Sequence, residues 1–109
     1  MKPELLALET EAEQLKSDGK NDEAIAKLKE AIEMDDSFVR GHLALSVLYH
    51  KLGDYEKSVA HAEKAVALEP DDAFNVAALS VTYQRAFEGT RDPIYIQKAE
   101  EALGRSHGQ

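Results

Sequence analysis

The chain has no cysteine and no tryptophan, three prolines among its 109 residues, and an aromatic content of only 6%. Without a thiol there is no disulfide framework, no thiolate metal centre and no cysteine nucleophile, so the fold must rest on packing alone. No apolar run approaches the roughly eighteen residues of a membrane-spanning helix. Met1-Lys2-Pro3-Glu4 leads into alternating Glu and Leu, not into the apolar core of a secretion signal. A cytoplasmic protein with no membrane partner is expected. Positive charge is scarce as well: 13 Lys and Arg stand against 21 Asp and Glu, a formal charge of -8 that repels a phosphate backbone. Nucleic acid is therefore not an expected partner.

The recognisable spacings of catalysis are missing too. There is no Gly-rich phosphate loop, no nucleophile elbow and no His-Glu-x-x-His. The four histidines, His42, His50, His61 and His107, never stand three or four apart on one helix, so they do not form a local metal pair. His42 is expected to pack inside and the other three to meet water. Asp35-Asp36 and Glu69-Pro70-Asp71-Asp72 lack the Asp-x-Asp-x-Asp-Gly calcium loop and suit helix ends instead. The expectation is no enzyme activity, no cofactor and no metal.

What the chain does have is hydrophobic periodicity. Pro3 suits a first helical position, and Leu5, Leu8, Ala12 and Leu15 follow at spacings of three and four until Ser17-Asp18-Gly19-Lys20 stops the helix. Ala24, Ile25, Leu28, Ala31 and Ile32 make one stripe on a second helix over about 21–34. Asp35-Asp36-Ser37 ends that helix and offers cap side chains to the next. Val39 to Asp72 reads as another hairpin, broken at Gly53-Asp54 and closed by Pro70. A third begins at Ala73 and keeps Val76, Leu79, Ser80 and Tyr83 in register. Its second half is displaced by three residues, expected between the helices in 86–91; Asp92-Pro93 then starts a last helix lined by Ile96, Ala99, Ala102 and Leu103, with a frayed tail from Gly104.

These hairpins repeat. A shift of thirty-four residues lays Gly19 on Gly53, Ala31 on Ala65, Leu45 on Leu79, Ser46 on Ser80 and Tyr49 on Tyr83. With His42, Leu45, Ser46, Tyr49, Ser58, Ala62, Ala65 and Pro70, the middle hairpin resembles the tetratricopeptide signature. His42 departs from the bulky aromatic or aliphatic residue usual there. The small positions have a physical reason, because helix axes about 8–10 Å apart need short side chains at the crossing.

The resemblance implies an all-α solenoid of three antiparallel helix-turn-helix repeats, about six helices in one domain over 1–109, with repeats at about 5–38, 39–72 and 73–106. It implies a concave surface, built mainly from the first helix of each repeat, that holds a peptide or amphipathic helix of another protein. The family's inward positions carry over to Leu43, Ala44, Val47, Phe74, Ala77, Ala78 and Val81, flanked by Arg40 at one end and His50, Lys51, Gln84 and Arg85 at the other. The alternative is that this stripe is inter-helix core. Members that clamp a chaperone's C-terminal carboxylate use positions matching Glu9, Glu13, Ala44, Phe74 and Ala78; two carboxylates and three apolar groups do not suit that ligand, so no such clamp is expected. Tyr49, Tyr55 and Tyr83 are expected to pack, and Phe87 either to pack or to mark a contact. The last helix shows no covering helix, so Ile94, Ile96, Ala99 and Leu103 could instead favour a homodimer, a structural module in place of an adaptor.

Overall fold

The computed structural model describes residues 2–106, except for the side chains of Leu103, Arg105 and Ser106. Six helices follow one another: α1 Pro3–Ser17, α2 Asn21–Met34, α3 Val39–Lys51, α4 Tyr55–Leu68, α5 Ala73–Thr90 and α6 Ile94–Ser106. Each pairs with its neighbours in the chain, and α3 also touches α5. The antiparallel hairpins α1–α2, α3–α4 and α5–α6 therefore stack side by side, with α1, α3 and α5 forming one layer and α2, α4 and α6 the other.

The turns explain the regularity. Gly19 and Gly53 both take left-handed backbone, with φ of 78° and 79°. In each, the next N–H reaches five residues back, Lys20 to the Leu15 carbonyl at 2.8 Å and Asp54 to the Tyr49 carbonyl at 2.9 Å. The same closing motif thus satisfies orphan carbonyls at the ends of α1 and α3. α5 ends instead at Arg91, a non-glycine residue at φ 63°, whose N–H bonds the Phe87 carbonyl. The three added residues do not form a loop: α5 takes them in with two more, reaching 18 residues against 13 in α3. Continuing the helix satisfies their backbone groups internally, which a loop would leave to solvent.

Two other expectations change. The carboxylate of Asp35 accepts from the N–H and hydroxyl of Ser37 and so shapes the turn, while Phe38 occupies the cap position of α3 without a side-chain bond. Farther on, α6 stays helical through Ser106; His107 to Gln109 lie outside the described residues. The capping role of Asp72 does hold, its carboxylate accepting from Phe74 and Asn75 at the start of α5.

The core follows the helix crossings. Ala12, Ala24, Ile25, Leu28, Leu45, Leu48 and Tyr49 join the first two hairpins. Val59, Ala62, Leu79, Tyr83, Ala86, Ala99 and Ala102 join the last two. Ser46 and Ser58 are buried, and the Ser58 hydroxyl donates to the Ser46 carbonyl at 2.7 Å, which lets polar small residues sit at the α3–α4 crossing without an unpaired group. Glu63 ties three helices, accepting from the Tyr83 hydroxyl at 2.6 Å and from Lys98 at 3.4 Å.

Candidate protein-binding groove

The layer of α1, α3 and α5 encloses an open cavity of about 970 Å³. Leu5, Glu9, Ala12, Glu13 and Lys16 form its α1 wall; Val39, Arg40, Leu43, Ala44 and Leu48 come from α3; Phe74 and Asn75 come from the start of α5. Spacings of three and four keep each set on one helix face. Of the twelve residues assigned to a binding surface from sequence, Arg40, Leu43, Ala44 and Phe74 line this cavity.

The other eight lie outside the cavity lining, and none is buried. Val47 and Val81 are 40% and 44% exposed, Ala77 is exposed and Ala78 half-buried. Lys51, Gln84 and Arg85 are exposed, and His50 is half-buried with its ring tilted against Tyr55. Val47 stands four residues after Leu43, and Lys51 four after Val47, so they continue the face that begins in the cavity. Leu5, Val39, Lys16 and Asn75 were absent from the sequence assignment. The thirty-four-residue register could have found one pair, since Leu5 and Val39 occupy equivalent places.

Charges across the groove are largely paired. Arg40 grips Glu9 with two parallel bonds, Nε to Oε2 at 2.8 Å and Nη2 to Oε1 at 2.7 Å, and its guanidinium lies over the Phe38 ring. The side-chain bond from Arg40 holds the Glu9 carboxyl below the usual carboxylate range, against an opposing effect of burial, and raises Arg40 in turn. The Ser37 bonds do the same for Asp35, helped by the charge of Lys2.

The histidines differ from expectation in part. His42 is buried as expected, but His61 is half-buried, stacked between His42 and Tyr49, and bonded to His42. Tertiary contact between α3 and α4 brings together two rings nineteen positions apart in sequence. Among the described residues no group of three or more His, Asp and Glu is arranged to hold a metal ion. No helix among them is long and apolar enough to cross a membrane. Tyr49 and Tyr83 are buried, Tyr55 packs against the second core cluster, and Phe87 is half-buried beneath the Arg91 guanidinium.

Stacked helical hairpins around a groove of this kind define an α-helical repeat protein, a class of protein–protein interaction module. The chain belongs to the tetratricopeptide repeat family, whose profile matches residues 15–80, more than half of its length. A solved structure described as the first tetratricopeptide domain of Spaghetti (RPAP3) bound to the HSP90 peptide SRMEEVD shares the fold, with a TM-score of 0.66, 16% identity and 94% of each chain covered. A UDP-N-acetylglucosamine–peptide N-acetylglucosaminyltransferase of Giardia intestinalis is 36% identical over 58 residues. That match takes in 53% of this chain but only 4% of the transferase.

Proposed function

We propose that the chain is a non-catalytic adaptor whose groove and adjoining inner face seat a peptide or amphipathic helix of another protein. The observation that carries this reading is Phe74, which lines the groove and leaves 70% of its surface in water. Exposed Val47 and Val81 extend the same face, and large apolar side chains left uncovered in a row mark contact surfaces more often than chance does. The solved relative supports a peptide as occupant. Its acidic peptide does not carry over, because Glu9 and Glu13 face the groove here. Sugar transfer is not proposed either, given how little of the transferase the chain matches.

Replacing Val47 or Val81 with Glu is expected to abolish capture of the partner from native cell extract while helicity and melting survive, since both side chains reach solvent and neither belongs to the buried core. Replacing Lys51 and Arg85 should mainly slow association and weaken its salt dependence. Unfolding of the valine variants, or unchanged capture, would count against the groove.

A second reading, a homo-oligomeric module, draws on Ile94 and Ile96, which are 41% and 37% exposed on α6. Sedimentation separates the two: a monomer mass up to hundreds of micromolar removes the oligomer.

A further inference from the structure

We infer that the groove reads the charge polarity of its occupant, taking a basic side chain beside Phe74 and an acidic one at the far ends of α3 and α5. This rests on the groove reading above and specifies its ligand.

The cavity's own cations are already matched. Arg40 is held by Glu9, Lys16 stands 3.9 Å from Glu13, and the charge of Lys2 acts on Asp35. Glu69 lines the same cavity, is exposed, and has no cation partner among the described residues. Asp72 is engaged in capping α5, and Glu69 accepts only the neutral Asn75 amide, Nδ2 to Oε1 at 3.4 Å, so Glu69 supplies the negative charge that no cation balances at this end. Beside it the Phe74 ring offers a face on which an ammonium or guanidinium can rest. At the other end Lys51 and Arg85 are exposed, and neither meets a carboxylate among the described residues.

The register gives the spacing. Lys51 lies eleven residues after Arg40, and Arg85 eleven after Phe74, so both helices carry the same interval. At 1.5 Å per residue that is about 16 Å, the span of five extended residues or three helical turns. An occupant with its basic and acidic groups that far apart satisfies both ends at once. The net charge of the chain also draws the basic end in first.

The test uses three dye-labelled synthetic peptides with blocked termini and identical apolar residues. One carries two Arg at one end and two Glu at the other, one carries Arg at both ends, and one Glu at both. Fluorescence anisotropy at low salt should rank the bipolar peptide tightest and the all-Glu peptide about tenfold weaker, since each exposed pair is worth roughly two- to fivefold. Glu69→Lys should weaken the bipolar and all-Arg peptides and strengthen the all-Glu one. Lys51→Glu combined with Arg85→Glu should weaken the bipolar and all-Glu peptides and strengthen the all-Arg one. Equal affinities untouched by either variant would overturn the charge inference and leave the groove standing. If none of the three binds, both fall.

Discussion

The Nδ1 atoms of His42 and His61 lie within hydrogen-bond distance, 3.1 Å apart across the α3–α4 interface. The tautomers follow from the neighbouring contact. His42 Nε2 lies 2.9 Å from the Asp36 carbonyl, which can only accept, so Nε2 carries the hydrogen and Nδ1 a lone pair. His61 must then donate from Nδ1.

That arrangement favours neutral His61. Burial first, then repulsion from His42 whenever that ring carries a proton on both nitrogens, and from Lys29 and Lys57, hold its pKa below the ordinary 6.5. A depressed folded pKa means that the stabilisation is complete above about pH 6.5 and is lost as pH falls through the folded value. The melting temperature is expected to be level above pH 7 and to begin falling once pH drops below about 6.5, before the carboxylates titrate. His61→Gln should flatten that portion. Parallel melting profiles for the two proteins would contradict it.

Gly89 lies under the ring of Tyr55. An added Cβ would overlap the Tyr55 Cζ, so Gly89→Ala must displace a ring that packs on the second core cluster. Displacement costs about 1–3 kcal/mol, against a helix-propensity gain of at most about 1 kcal/mol. The clash should win, and Gly89→Ala should destabilise the protein. In a Tyr55→Ala background the same change should become neutral or stabilising, as denaturant titration of the double-mutant cycle will report.

The Arg40–Glu9 pair joins α3 to α1 across the groove, yet 56% of the Arg40 side chain is exposed. Solvent screening should hold its worth below about 1 kcal/mol. Because the Glu9 pKa is lowered on folding, this contribution is present above the ordinary value of 4.5 and disappears as pH falls through the folded value. Glu9→Gln should therefore cost a little stability at pH 7, and the cost should shrink as pH falls below 4.5. A loss of several kcal/mol at neutral pH would show that the pair matters more than its exposure implies.

The repeat was legible because each turn is fixed locally. Gly19 and Gly53 mark helix ends by backbone conformation, and small residues such as Ala24, Ala62 and Ser58 mark crossings by size, so a register of thirty-four residues reveals both. Lengthening of α5 was not legible: no sequence signal separates three residues added to a helix from three added to a loop when the break residue is Arg91. The His42–His61 bond was hidden because it depends on how α4 rotates against α3. Exposure of Phe74 followed from its place on the inner face. The Glu9–Arg40 pair did not, since neither side chain declares its partner thirty-one residues away.

The binding surface itself is best tested by photocrosslinking inside the native cell. A benzoylphenylalanine replacing Phe74, Ala77 or Val81 sits on the inner face, while one replacing Ala60 or Ala67 is exposed on α4 in the other layer. Crosslinks to a single partner segment from the inner positions, with none from Ala60 or Ala67, are the expected result. Crosslinks that arise from the α4 positions and not from Phe74 would contradict the groove as the site of partner binding.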